Sequence, residues 1–224
     1  MSAVIGDVLP ATIELALASM LIAVMIAMPV GIFAALRQRR LFDHISMVAA
    51  LIGVAMPVFW LGPMLLYLFS VQIPILPDPG APLDNPLPLL LPALVLGAAL
   101  SSKLTRMVRA SVLDVLREEY TLTARAKGLS ESRVILGHVL RNALIPVLTV
   151  MGLQLAALLG GAIVTEKVFA RPGIGTLLLD AIVRRDYAIV QGCVLVVTMG
   201  YVLVNLTVDL LYMWIDPRLK RPKA

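Results

Sequence analysis

The sequence is poor in the groups that do chemistry. A single cysteine, Cys193, excludes an internal disulfide framework and any cysteine-based metal cluster. Its surroundings make it a small apolar residue of an apolar helix. The two histidines, His44 and His138, flank different charged segments, and zinc needs three or four converging ligands, so no metal site is expected. There is no G-x-x-x-x-G-K-[ST] phosphate loop, no H-E-x-x-H and no G-x-S-x-G. Gly173-Ile174-Gly175 lacks the third glycine and the preceding strand of a dinucleotide fingerprint. No catalytic residue is nominated, and an enzyme is not expected.

Charge is scarce as well, at 15% of residues, whereas 60% are hydrophobic and the mean hydropathy is +0.94. That balance belongs in a bilayer rather than in a water-soluble domain. Uncharged runs of spanning length occur at Leu15–Leu36, Ile45–Pro77, Asn142–Thr165 and Tyr187–Val208. A shorter run at Asn85–Ser102 reaches spanning length if Lys103 snorkels to the interface. The reading is an all-α, polytopic bundle of five transmembrane helices within about residues 10–215, forming a single domain.

The helices are expected at about Pro10–Leu36, Ile45–Ser70, Leu89–Val108, Pro146–Thr165 and Gln191–Trp214. Pro29, Pro57 and Pro63 fall inside the first two, where bends are tolerated if neighbours satisfy the freed carbonyls. Gln72–Pro88, rich in proline and holding Asp78, Gly80 and Asp84, reads as an extended outer loop. The segment 166–190 reads as a second outer loop, with a turn at Arg171–Gly175 and a short amphipathic helix marked by Leu177, Leu178, Ala181 and Ile182.

The basic residues orient the chain. With Arg37–Arg40, the segment 111–146, the C-terminus and the end of the third helix, through which Lys103, Arg106 and Arg109 enter that segment, on the cytoplasmic side, 15 of the 19 Lys and Arg lie inside, and Lys167, Arg171, Arg184 and Arg185 lie outside. The pI near 9.7 therefore reflects topology, and nucleic acid is not expected as a partner. No basic n-region of a cleavable signal precedes the first helix.

The most informative stretch is Ser111–Pro146, which is charged and amphipathic between two apolar blocks. Val112, Leu113, Leu116, Tyr120 and Ala124 recur at helical spacing, Gly128 ends that helix, and Ser130 is placed to cap the next, with Glu131 in its first turn. Two helices meeting at a small-residue corner, Ala124, Ala126 and Gly128, leave room for another protein to approach. A surface helix resting on lipid headgroups fits the same pattern.

Ala124-Arg125-Ala126-Lys127-Gly128-Leu129, followed by Arg141-Asn142-Ala143-Leu144-Ile145-Pro146, resembles the cytoplasmic coupling motif of ABC importer permeases of the dipeptide/oligopeptide/nickel family. The resemblance runs on through Glu166, Phe169, Pro172–Gly175, Arg185-Asp186-Tyr187 and Asp216-Pro217-Arg218, and back to Leu9–Leu15 and Pro57–Trp60. It implies an ABC type-1 transmembrane domain in the inner membrane of a prokaryote, with its C-terminus cytoplasmic. It also implies a second, similar permease subunit, two cytoplasmic ATPases that bind the ATP and magnesium, and an extracytoplasmic binding protein. On this reading Ala124, Arg125, Ala126, Lys127, Gly128, Leu129 and Ser130 couple to an ATPase. Phe169, Arg171, Pro172, Gly173, Arg185 and Asp186 meet the binding protein. Family members usually carry one more helix ahead of the point where this sequence starts.

From the residues alone, Ser101, Gln154 and Asn205 are candidates for the pathway. Asp209 is expected to pair with Lys103 or Arg106 between the fifth and third helices. The competing function is an ion-gradient-coupled carrier, but such carriers place carboxylates at mid-membrane, and Glu14 and Asp209 sit near helix ends. The substrate is left open among dipeptides, oligopeptides, glutathione, nickel complexes and opines.

Overall fold

The computed structural model describes residues 2–76, 87–160 and 162–215, and every regular element within them is helical. Of the expected loop Gln72–Pro88, Gln72 closes a π turn and Leu87 and Pro88 open a helix, whereas residues 77–86, with Asp78, Gly80 and Asp84, and the Asp216-Pro217-Arg218 tail lie outside the described residues.

Helix α1 (Ser2–Leu36) begins eight residues before the expected Pro10, with Pro10 and Pro29 accommodated inside it. The second expected span is two helices, α2 (Leu41–Ala55) and α3 (Val58–Leu66, continued by a π turn over Tyr67–Gln72), bent by 97°. The break falls where chemistry demands it. Pro57 disfavours the helical region for Met56, which adopts φ −73° and ψ 121°.

Helix α4 (Leu87–Leu116) corrects the expected end at Val108, running eight residues further. Ser111, Val112 and Leu113 are buried on it, so they belong to the core and not to the loop. The loop proper holds α5 (Glu119–Ala126) and α6 (Glu131–Val134). A π turn over Ile135–Val139 then leads straight into α7 (Leu140–Leu159). The expected second loop helix is therefore continuous with the span that follows it, in one helical run over Glu131–Leu159. Two short helices follow, α8 (Ile163–Val168) and α9 (Ile174–Val183), before the last span, α10 (Tyr187–Ile215). Among the described residues, four helices are long and apolar enough to cross a membrane, and the bent α2–α3 pair makes a fifth if it is one span.

Helices α1 and α4 form the centre of the bundle, because small residues let them approach closely. A Cβ built on Gly97 would lie 2.7 Å from Ile22 Cγ2 and 2.9 Å from Ser19 O, and one built on Gly31 would lie 2.7 Å from Val108 Cβ and 2.9 Å from Thr105 O. Their register follows: Gly97 is level with Ser19–Ile22, and Gly31 with Thr105–Val108. Helix α7 packs on α4, and α10 packs on α7 and α9.

The bundle has two distinct ends. The basic end carries the Arg37–Arg40 turn, α5 and α6; the opposite end carries Glu14, α8 and α9. At the basic end Asp43, almost wholly buried, accepts from Arg109 of α4 through both carboxylate oxygens and from the Arg39 amide at 2.9 Å. This pair replaces the expected one. Asp209 is exposed on α10 and makes no ion pair with Lys103 or Arg106, because α10 packs against α7 and α9 while those two cations sit on the exposed side of α4.

Candidate functional site

The corner at Gly128 is built by a specific helix terminus. Lys127 ends α5, Gly128 takes φ +79°, its amide donates to Arg125 O at 2.9 Å, and the Leu129 amide donates back to Ala124 O at 3.4 Å. This is the paired-bond termination that a left-handed residue allows, and glycine enters that region without the cost a side chain carries. Ser130 stands at the N-cap position of α6 but makes no capping bond with its side chain; its hydroxyl lies 3.5 Å from that of Ser132. Arg125 grips Glu131 instead, at 2.8 and 3.4 Å, and closes the corner from outside.

Beneath, the corner is anchored. Thr121 is fully buried and donates to Val115 O at 2.9 Å, which ties α5 to the end of α4. Ala124 and Val134 are buried in one cluster with Leu104, Val108, Val112, Val139, Ala143 and Val147, and Leu129 packs against it. Of the seven sequence-predicted residues, Ala124 is therefore a root. Arg125 and Leu129 are half-buried, and Ala126, Lys127, Gly128 and Ser130 are exposed. A Cβ added to Gly128 would meet nothing within 4 Å, so the space in front of the corner is open.

The opposite end holds a buried polar network that the sequence reading did not find. Glu166 is 1% exposed. Its carboxylate accepts from the Thr12 hydroxyl at 2.9 Å and from the Thr176 amide at 3.0 Å, in the first turn of α9, where the helix dipole favours negative charge. Thr12 in turn accepts from the Ile174 amide at 2.8 Å. The Pro-Gly-Ile-Gly turn is what admits the carboxylate. A Cβ on Gly173 would lie 2.2 Å from Glu166 Cδ, and one on Gly175 would lie 2.9 Å from Oε2. Arg171, also buried, donates to Glu14 at 2.9 Å.

The six residues predicted to meet a binding protein are thereby divided. Phe169, Arg171 and Gly173 are buried, Phe169 in the cluster of Leu91 and Val95, whereas Pro172, Arg185 and Asp186 are exposed. The three predicted pathway residues do not converge. Ser101 donates to Ala98 O of its own helix at 2.8 Å, Gln154 donates to Leu100 O at 3.3 Å, and Asn205 is half-buried on α10.

A cleft of about 580 Å³ lies between α1, α7, α9 and α10, and none of those three lines it. Its polar lining residues are Thr12, engaged with Glu166, and Thr207, which donates to Leu203 O at 2.8 Å. With no free polar partner in it, this cleft is hydrocarbon space and not a seat for a charged solute.

Residues 27–221 match the family of binding-protein-dependent transport system inner membrane components. This chain belongs to that family. It is 45% identical, over 96% of its own length and 71% of the relative's, to the di/tripeptide transport system permease protein DppB of Pseudomonas aeruginosa. It is 44% identical to the dipeptide transport system permease protein DppB of Escherichia coli K12, over 95% of this chain and 71% of that protein. To the glutathione transport system permease protein GsiC of the same strain it is 47% identical, over 93% of this chain and 68% of that protein. Among solved structures, a chain of the MetNI methionine ABC transporter in inward-facing conformations superposes with a TM-score of 0.79, covering 96% of this chain and 98% of that one at 15% identity. A chain of an amino acid ABC transporter superposes with a TM-score of 0.67 at 15% identity. The protein is thus a multi-pass, inner-membrane permease component of an ABC importer, with the family's all-helical fold, and the ion-coupled alternative falls away.

Proposed function

We propose that this permease moves short peptides, drawing on ATP hydrolysed by separate subunits. The basic end faces the cytoplasm, with the C-terminus on that side, a reading that the excess of Lys and Arg at this end supports. A second, similar permease completes the pathway, and an extracytoplasmic binding protein delivers the solute to the end carrying α8 and α9. There Pro172, Arg185 and Asp186 are the exposed contacts, and Phe169, Arg171 and Gly173 hold the surface beneath them. Two cytoplasmic ATPases bind the ATP and magnesium and seat at the Gly128 corners. The named substrates of the relatives, dipeptides, tripeptides and glutathione, support the solute class.

The observation that carries this reading is the corner itself, rooted through Thr121, Ala124 and Val134 and open in front of Gly128. A helix merely resting on lipid would turn its apolar side chains outward as a stripe. Here most of that stripe is turned into the bundle, and the end of α5 presents small and charged groups. Movement of a seated ATPase is transmitted to α4 and α7, which share the corner's core.

The test is uptake in vesicles from cells expressing the assembled transporter. Dipeptide uptake should require ATP on the cytoplasmic side and persist when proton and sodium gradients are collapsed. Uptake that stops with an uncoupler while ATP is held constant would overturn the reading.

A further inference from the structure

Lys103 and Arg106 stand one turn apart on α4, both exposed, and among the described residues neither forms an ion pair or a side-chain hydrogen bond. Arg109, the next cation along, is neutralised by Asp43. Depth makes the unpaired two unusual. The α1–α4 register, fixed by Gly97 against Ser19–Ile22 and Gly31 against Thr105–Val108, sets Lys103 level with about Ala27 and Arg106 with about Val30. Ala27 and Leu104 share one buried cluster, which agrees.

Along α1 the first cation is Arg37. Lys103 therefore lies about 15 Å, and Arg106 about 10 Å, on the membrane side of Arg37, at 1.5 Å per residue. With Arg37 taken as one edge of a hydrocarbon core about 30 Å thick, that places Lys103 near the midplane, beyond the reach of a snorkelling side chain. An exposed cation at that depth is costly unless it faces water or a counter-charge, and such residues mark solute pathways. The apolar cleft between α1, α7 and α10 supplies neither.

We propose that Lys103 and Arg106 face the water-filled passage completed by the second permease and form an anion site that holds the carboxylate of the passing solute. The inference rests on the peptide-permease reading, since every short peptide with a free C-terminus carries a carboxylate. Two cations at i and i+3 offer it one charge-assisted contact each. Being strung along the helix, they let it be handed from Lys103 to Arg106 towards the cytoplasm.

The experiment uses inside-out vesicles containing the assembled transporter, with Cys193→Ser removing the buried native thiol. Lys103→Cys should be modified by water-soluble methanethiosulfonates, as should Ser132→Cys on the exposed loop at the basic end, whereas Val48→Cys on the exposed face of α2 should not. Because Arg106 remains, the anionic reagent should outpace the cationic one at position 103 by about tenfold relative to position 132, an advantage that Arg106→Met abolishes. Lys103→Cys left unmodified while Ser132→Cys reacts, or modified with no anion preference, would overturn the proposal. In the same cells, Lys103→Met with Arg106→Met should lower dipeptide uptake about tenfold or more, with ATPase co-purification intact and Lys103→Arg largely restoring it. Normal uptake by the double Met variant would likewise overturn it. If the labelling behaves as stated but wild-type uptake needs no ATP, it is the transport reading that fails and not the anion site.

Discussion

The two ends of this bundle use glycine for opposite purposes. At the basic end Gly128 provides a left-handed turn, and the space in front of it is empty. At the opposite end Gly173 and Gly175 leave space that the chain itself fills with the Glu166 carboxylate. A glycine that faces nothing shapes a surface for something else, and a glycine that faces a buried charge is part of a staple. The Gly128 corner should therefore tolerate change until a partner is asked to bind, whereas the Glu166 staple should fail in the isolated chain.

The largest effect should come from filling the cradle around Glu166. Gly173→Ala puts a methyl group onto the Glu166 carboxyl, and Glu166→Ala strands the Thr12 hydroxyl and the Thr176 amide away from water. Either should cost about 3 kcal/mol or more in a part of the fold that joins α1 to α9. The readouts are a lowered melting temperature in detergent and proteolysis within 163–183, both without any partner present. A Gly173→Ala protein as stable as wild type would mean that the carboxylate is free to swing away and staples nothing.

Gly128→Asp should invert that pattern. Positive φ costs a side chain about 1 kcal/mol, and aspartate tolerates the left-handed region better than most residues, so the variant should insert, melt and accumulate nearly as wild type does. Seated in an ATPase groove, however, it brings a buried charge without a partner, which costs several times more. Transport and ATPase co-purification should disappear together, whereas Gly128→Ala should keep part of both. A Gly128→Asp permease that still holds its ATPase would remove the distinction between the two ends.

What was legible in the sequence follows the same division. The Gly128 corner, the short helix over Ile174–Val183 and the apolar runs of the spans are written in local spacing, and the structure has them. Partnerships between distant segments are not. Thr12 and Glu166 are 154 positions apart, and no periodicity links them. Likewise Asp43 was an unremarked residue of a helix start, while Asp209 looked available to Lys103 and Arg106 on depth alone; helix rotation and neighbour choice decided otherwise. The end of α4 was misjudged because Asp114 and Arg117 mark polarity, whereas Ser111, Val112 and Leu113 continue inward. The one nearby cue for the staple was Pro172-Gly173-Ile174-Gly175 just after a lone glutamate, a turn too small-featured for a simple loop.

Between the two extremes lies the ion pair that closes the Gly128 corner. Arg125 and Glu131 are 35% and 62% exposed, so the pair contributes about 0–1 kcal/mol, screened further by salt. Arg125→Ala should leave stability within about 0.5 kcal/mol of wild type, read as a small shift in melting temperature that vanishes at high salt. A larger effect on ATPase retention than on melting would place the Arg125 side chain in the partner's contact as well.

The smallest effect is expected at an exposed pair between α8 and α9, beside the staple but not part of it. The Lys167 ammonium, 2.8 Å from Asp180, holds that carboxyl below its usual value of 3.8, with Arg184 adding to the effect. A carboxylate whose folded-state pKa is depressed contributes stability that is fully present above the unfolded value and is lost as pH falls through the folded one. Both side chains are at least half exposed, so water and salt screen the attraction. Asp180→Asn should therefore match wild type in melting temperature at neutral pH to within experimental error. Whatever small difference exists should stay flat from about pH 5 to pH 8 and close only below about pH 4, where the wild-type carboxyl is itself protonated. A difference that grew between pH 5 and pH 8 would have to come from another group, and it would mean that α9 is held by more than the buried carboxylate beneath it.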